Sequence, residues 1–134
     1  MSFLKYQSYK VSGVEWLGDV PADWQVVPLK KVARVVNGYP FDSKAFTGDK
    51  GHQLVRIRDL GAKHTEALYD GEFVEAAAVT SDDVLIGMDG DFNVGRWLGS
   101  GKALLNQRVC CVRGGSKLIT RLLEYALPFP LKAI

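Results

Sequence analysis

Basic and amide side chains are the groups in this 134-residue sequence whose types most clearly suggest a binding function. Arg and Lys bind guanine edges and phosphates, while Asn and Gln bind adenine edges in the major groove of DNA. The residues of these types on predicted loops and strand ends are Lys44, Arg56, Arg58, Lys63, His64, Arg96, Lys102, Asn106, Gln107 and Arg108. They are candidate nucleic-acid contacts, although each one alone is equally typical of a solvated surface.

These candidates have different expected roles. Those expected to supply phosphate or base contacts are Arg56, Arg58, Arg96, Lys102 and Arg108. Lys44, Lys63 and His64 are expected at the rim of the contact surface. Asn106 and Gln107 have an alternative role, because amides beside a strand also fix hairpins by hydrogen bonds.

Charge is distributed unevenly along the chain, although the formal net charge is only +2. Residues 1–64 carry ten Lys and Arg against six Asp and Glu, and residues 65–93 carry eight acids and no base. Residues 94–134 carry seven bases against one acid. Two basic segments can fold so that their cations share a face that attracts phosphate, but solvated charges explain the pattern equally well.

Motifs for calcium binding, nucleotide hydrolysis and nucleophilic catalysis are incomplete. Asp89, Asp91 and Asn93 begin like a calcium-binding loop, but the required glycine and the final bidentate acid are missing. Gly101-Lys102 lacks the first glycine and the Ser or Thr of a phosphate-binding loop. There is no G-x-S-x-G elbow, and neither cysteine has a recognisable catalytic frame.

Four aspartates leave one route to catalysis open. Nucleases group carboxylates around Mg²⁺, and Asp82, Asp83, Asp89 and Asp91 could form such a group. These residues flank a predicted strand in turns, where Asp is favoured for hydrogen bonds to its own backbone, and the turn interpretation is preferred. The two histidines are isolated from each other and from the cysteines, so no metal site is predicted.

A single domain is expected from the chain length and the 47% hydrophobic content. No apolar stretch is long enough to span a membrane and the N-terminus has no secretory signal, so the expected location is the cytoplasm. Cys110 and Cys111 are adjacent, and in a strand they point to opposite faces. They are therefore expected to be reduced, one facing inward and one outward.

Three segments have the composition of β-strands. QLVRIRDL (53–60) alternates, which places Arg56 and Arg58 on one exposed face. VLIGMDG (84–90) is typical of a buried strand closed by a glycine turn, and 108–112 is a third strand. A hairpin with a glycine-rich tip at 99–101 is expected to precede this third strand.

An N-terminal arm and a C-terminal helix complete the predicted fold. Trp16 and Trp24 are expected to fix the arm to the core, because indoles bury large areas. Ser116 is the predicted cap of a helix that ends before Pro128. Its apolar stripe contains Leu118, Ile119, Leu122, Leu123, Ala126 and Leu127. The fold class is α+β, a twisted, mainly antiparallel sheet with this amphipathic helix and one or two short helices packed on it.

Five segments in a fixed order point to a known family. They are GVEWLGDVPADW (13–24), NGYPFDS (37–43), RIRDL (56–60), DDVLIGMDGDFN (82–93) and LLNQRVC (104–110). Each is weak alone, but together they extend over nearly the whole chain. The sequence resembles the N-terminal target-recognition domain of the specificity subunit of type I restriction-modification systems.

The resemblance implies a non-catalytic protein that reads one half of a bipartite double-stranded DNA target without a cofactor of its own. In that family, methyltransferase subunits supply S-adenosylmethionine and methylate adenine, and a motor-nuclease subunit cuts DNA. Family members continue past the point where this chain stops, so residues 1–134 are expected to form one incomplete recognition domain. The alternative is a protein-interaction fragment that self-associates or binds a methyltransferase subunit without engaging DNA.

Overall fold

Short strands dominate the computed structural model, which describes residues 5–132. The strands are β1 (Tyr9–Val11), β2 (Asp19–Pro21), β3 (Ala33–Asn37), β4 (Phe46–Thr47), β5 (His52–Val55), β6 (Ala67–Tyr69), β7 (Ala78–Val79), β8 (Val84–Gly87), β9 (Asn93–Arg96), β10 (Ala103–Leu105) and β11 (Val109–Gly114). The helices α1 (Lys117–Ala126) and α2 (Pro128–Leu131) follow. Short 3-10 turns lie at Leu29–Lys31, Ser43–Ala45, Ile57–Asp59 and Glu75–Ala77.

The strands form three sheets. β1 and β2 pair in the N-terminal arm, five strands pair in the order β4-β6-β5-β10-β7, and four pair in the order β3-β11-β8-β9. Every strand pair in the described range is antiparallel except β5 with β10, which is parallel. The predicted α+β class is confirmed, because a mainly antiparallel sheet system carries the helices at its C-terminal end.

The four-stranded sheet is covered on both faces, which explains why β8 and β11 are apolar without alternation. One face packs against the five-stranded sheet, in a cluster of Val55, Val79, Leu85, Trp97, Ala103, Leu105, Val109 and Cys111. The other face packs against the helices, in a cluster of Val84, Ile86, Cys110, Val112 and Leu127 with Leu123 and Leu131. A third cluster, Phe41, Leu54, Ala77 and Leu104, covers the far side of the five-stranded sheet.

Cys110 and Cys111 are both buried free thiols. They point to opposite faces of β11 as predicted, since they belong to different clusters. The prediction that one of them faces outward is wrong, because the helices cover that face.

The C-terminal helix continues past its predicted end. The Ser116 hydroxyl accepts a hydrogen bond from the Ile119 N–H at 3.2 Å, so the predicted cap is confirmed. Pro128 begins α2 instead of stopping the helix, since proline is tolerated in a first helical turn, where its missing N–H has no partner to lose. None of the helices in residues 5–132 is long and apolar enough to cross a membrane.

The prediction that the arginines of the RIRDL segment lie on a strand is wrong. β5 ends at Val55, and Ile57–Asp59 forms a 3-10 turn. The buried Asp59 carboxylate accepts the N–H groups of Arg56 at 2.9 Å and of Glu66 at 3.1 Å. These bonds hold the turn closed, and the alternating pattern alone could not reveal them.

The glycine-rich segment 99–101 is not a hairpin tip. β9 pairs with β8, whereas β10 pairs with β5 and β7, so the strands on either side of the segment belong to different sheets. Trp97 is fully buried there, and a Cβ on Gly99 would lie 2.0 Å from its ring. The crossing therefore needs glycine at position 99 because the indole occupies that space.

The N-terminal tryptophans do not fix the arm to the core, contrary to expectation. Trp16 and Trp24 are each 51% exposed. Val20 and Pro21 of β2 are the buried residues of the arm. The predicted indole burial fails because Trp24 packs edge-on against Tyr6 at 5.8 Å, within the arm itself.

Candidate nucleic-acid interface

The parallel pairing of β5 with β10 brings two distant segments together. Leu105 lies beside Val55 in this pair, so both strands end at the same edge of the sheet. The segments that leave these ends are 56–58 and 106–108, which contain half of the predicted contact residues. The Asn106 N–H donates to the Val55 carbonyl at 3.0 Å, which ties the two segments to each other.

These segments line one cleft of about 210 Å³, here called the Asn106 cleft. Its walls are Arg56, Ile57, Arg58, Asp89, Asn106, Gln107, Arg108 and Val109. Three guanidiniums and two amides therefore converge on one surface, as recognition of bases and phosphates requires.

Backbone contacts hold the Asn106 side of the cleft in place. The Val109 N–H donates to the Asn106 carbonyl at 3.1 Å, and the Met88 N–H donates to the Arg108 carbonyl at 2.9 Å. Gly38 packs directly against this turn, where a Cβ would lie 1.8 Å from the Asn106 carbonyl oxygen. Gly38 is thus needed for the close approach of two backbones.

Each arginine of the cleft has a carboxylate partner. Arg58 lies 3.1 Å from Glu66 and Arg56 lies 3.8 Å from the same carboxylate, while Arg108 lies 3.1 Å from Asp89. Ion pairs this exposed contribute about 0–1 kcal/mol, so a phosphate can replace the carboxylate at little cost. The lining contains three arginines and one acid, Asp89, so its formal charge is positive.

Two polar atoms of the cleft are buried without a hydrogen-bond partner among the described residues. They are the Nε of Arg56, a donor, and the Oδ1 of Asn106, an acceptor. A buried unsatisfied group costs about 1–3 kcal/mol, so these two atoms lower the stability of the folded chain.

The other five predicted contact residues lie outside this cleft. Arg96 pairs with Glu124 at 3.0 Å and with Asp82 at 3.6 Å, which links β9 to α1. Lys102 pairs with Glu75 at 2.6 Å. Lys44 is exposed in the Ser43–Ala45 turn, and Lys63 and His64 are exposed in the turn before β6.

The acidic segment 65–93 supplies most of the partners for the basic residues. Glu66, Asp70, Glu75, Asp82, Asp83 and Asp89 each pair with a cation from outside that segment. Three of the four aspartates considered for a metal, Asp82, Asp83 and Asp89, therefore face arginines. Residues 5–132 contain no group of three or more potential metal ligands.

Arg113 and Asp83 form the most buried of these pairs. The Arg113 guanidinium donates to both carboxylate oxygens, at 3.0 and 2.5 Å, and these hydrogen bonds raise its pKa. Asp83 also accepts the Thr80 N–H at 2.8 Å, the local backbone bond expected of a turn aspartate. Arg113 was not among the predicted contact residues, nor were Lys30, Lys31 and Arg34, which lie near it. The signal that could have revealed them is the basic spacing K-K-x-x-R in 30–34.

The sequence of the chain is similar to that of a curated bacterial protein. The chain is 41% identical over 113 residues to the type I restriction enzyme EcoBI specificity subunit of Escherichia coli. The match covers 83% of this chain and 24% of that protein, so the chain spans about a quarter of its relative's length. No family model matches the chain.

Solved structures share the fold at low sequence identity. One is the HsdS subunit from Thermoanaerobacter tengcongensis, with a TM-score of 0.65 and 17% identity, covering 87% of this chain and 31% of that one. Another comes from a study of assembly and conformational transition of the type I R-M system, with a TM-score of 0.60 and 15% identity, covering 81% and 28%. These matches extend across most of the described residues.

Proposed function

Because this chain belongs to the specificity-subunit family of type I restriction systems, we propose that it recognises one half of a bipartite DNA target through the Asn106 cleft. The chain supplies sequence recognition and no catalytic group. Methyltransferase subunits and a motor-nuclease subunit are the proposed partners in the complete complex.

The observation that carries this proposal is the meeting of Arg56, Arg58, Asn106, Gln107 and Arg108 around one cleft. Guanidiniums and amides are the side chains that read guanine and adenine by paired hydrogen bonds.

Binding is tested by fluorescence-anisotropy titration of the 134-residue chain with a random-sequence duplex at two salt concentrations. We expect affinity that falls steeply with salt, because phosphate contacts release counterions. Selection from a randomised duplex pool then yields the preferred half-site. No binding even at low salt would contradict the proposal.

The double variant Asn106→Ala/Gln107→Ala separates base reading from phosphate contact. It removes no charge, so the salt dependence of binding should be unchanged. The preference for the selected half-site over a random duplex should fall about 10- to 100-fold, since a bidentate base contact contributes about 1–3 kcal/mol. Unchanged preference would show that another surface reads the sequence.

A matched pair of charge variants completes the test. Arg58→Gln/Arg108→Gln removes two cations from the cleft and should weaken binding to all duplexes. Lys10→Gln/Lys132→Gln removes two exposed cations from the arm and the C-terminal end, far from it in sequence. We expect only the first pair to lower the slope of affinity against salt.

A specific observation also supports the second function, docking onto another protein. The outer face of α1 and α2 exposes Leu118, Leu122, Tyr125 and Phe129, at 69%, 58%, 74% and 72%. Their spacing of four, three and four residues is that of a coiled-coil seam, whose partner is another helix. We call these residues the helix seam. Self-association of the chain, or binding of a methyltransferase subunit without any DNA binding, would favour this second function.

A further inference from the structure

A second cleft is lined by cations without any carboxylate. It has a volume of about 430 Å³, and we call it the Arg34 cleft. Its walls are Lys30, Lys31, Val32, Ala33, Arg34, Arg113, Gly114 and Gly115. The Asn106 cleft, in contrast, includes Asp89 in its lining.

Two arginines of this cleft lie opposite each other across a strand pair. Arg34 of β3 is the direct neighbour of Arg113 in β11, so both side chains leave the same face of the sheet. Like charges in this position destabilise a sheet unless something neutralises them. Asp83 neutralises Arg113, but Arg34 has no carboxylate within 4 Å among residues 5–132.

Arg34 is the exception among the arginines of the described range. The other six, Arg56, Arg58, Arg96, Arg108, Arg113 and Arg121, each have a carboxylate partner. Lys30 and Lys31, in the turn just before β3, likewise lack a carboxylate within 4 Å in that range. The cleft therefore carries three cations that have no carboxylate within 4 Å among residues 5–132.

We propose that the Arg34 cleft binds a phosphodiester group of the DNA backbone, as an anchor separate from the Asn106 cleft. This rests on the proposed function. A guanidinium and two ammonium groups that line one cleft supply the positive charge and the N–H donors that phosphate binding requires. A phosphate also supplies a negative charge for Arg34, which has no carboxylate within 4 Å among residues 5–132.

The two clefts lie at opposite ends of β11. Val109 lines the Asn106 cleft and Gly114 lines the Arg34 cleft. Five residues of extended strand span about 17 Å. That distance corresponds to about five phosphates along one DNA strand, so the two clefts are far enough apart to contact different phosphates.

The test compares two triple variants that remove equal charge. Lys30→Gln/Lys31→Gln/Arg34→Gln alters the cleft, whereas Lys5→Gln/Lys10→Gln/Lys132→Gln alters exposed cations elsewhere. We expect the cleft triple alone to lower the slope of log affinity against log salt, by about 0.9 for each phosphate that the protein no longer neutralises. Thermal melting of both triples checks that the fold is retained.

The cleft triple should keep its preference for the selected half-site, because an anchor on the backbone carries no sequence information. Equal reduction of the slope in the two triples would overturn the proposal. So would binding of inorganic phosphate to the unmodified cleft, measured by NMR shifts, together with an unchanged DNA salt slope in the cleft triple. If the unmodified chain binds no duplex at all, the proposed function fails instead.

Discussion

Neighbouring residues of this protein have different roles. Arg113 is held by a buried carboxylate and serves the fold, whereas Arg34 across the strand has no acid within reach in residues 5–132 and is open to an anion. Asn106 combines both tasks, since its backbone joins the sheets while its side-chain oxygen has no partner among the described residues.

Cys111 gives a prediction at this scale. Burial, with a smaller effect of Asp83, raises the pKa of its thiol from 9.0 to about 12. Because the thiolate is the reactive form, we expect no fast reaction of the native chain with a disulfide reagent at about pH 8. Both thiols should react once the chain is unfolded in guanidinium. Fast labelling of the folded chain would contradict this.

The same shift predicts how stability depends on pH. The folded chain holds the Cys111 proton more tightly than the unfolded chain. The contribution of Cys111 to the free energy of unfolding is therefore complete below pH 9.0. It is lost as the pH rises through about 12. The free energy of unfolding should therefore fall over this range, and the fall should be smaller in Cys111→Ala. Parallel curves for the two proteins would show that other groups cause it.

At the scale of elements, the positions of the cleft residues depend more on the turns that join strands than on the strands themselves. The strands form a common framework, but the Asp59 turn and the Asn106 turn decide where the cleft residues point. Ion pairs also fix the elements relative to one another. Arg96, for example, connects β9 to Asp82 and to α1.

Gly38→Ala tests the dependence of the cleft on close packing. The new Cβ would lie 1.8 Å from the Asn106 carbonyl oxygen, which is backbone and can move only with its strand. We expect a loss of more than about 2 kcal/mol in unfolding free energy, measured by urea denaturation.

Gly48→Ala is a suitable control, because a Cβ there meets nothing within 4 Å. The control should change stability by less than about 0.5 kcal/mol. Equal stability of the two variants would show that the Asn106 turn moves freely.

Local patterns predicted the elements better than their arrangement. Continuous apolar runs identified β8 and β11, and the Ser116 cap identified α1, because burial and capping act over a few residues. The candidate contact residues at 56–58 and 106–108 were selected by type, but the fact that they meet depends on strand pairing across the chain. The Arg34 cleft was missed because the basic spacing in 30–34 does not show that β3 pairs with β11, which brings Arg113 beside Arg34.

At the scale of the whole molecule, the charge blocks of the sequence fold onto one another. Acids of 65–93 neutralise cations from both flanking blocks, which leaves the Arg34 cleft as a concentrated positive surface on a nearly neutral protein. The helix seam is the contrasting surface, apolar and uncharged.

The helix seam predicts association. Multi-angle light scattering of the concentrated chain, alone and with a methyltransferase subunit, should show a complex. Leu118→Glu/Tyr125→Glu should prevent it without unfolding the chain, because both side chains are already exposed. Lys117→Glu/Lys132→Glu is the control for added acid at neighbouring positions. A monomer under every condition would leave the seam without a role in assembly.

The parallel pairing of β5 with β10 also has a consequence for how the chain acquires its structure. Leu54 and Leu104 are neighbours in space but fifty residues apart in sequence. Contacts this distant form slowly, since the intervening loop must lose its conformational freedom first. During synthesis the Asn106 cleft cannot exist until the ribosome has released the segment after β10.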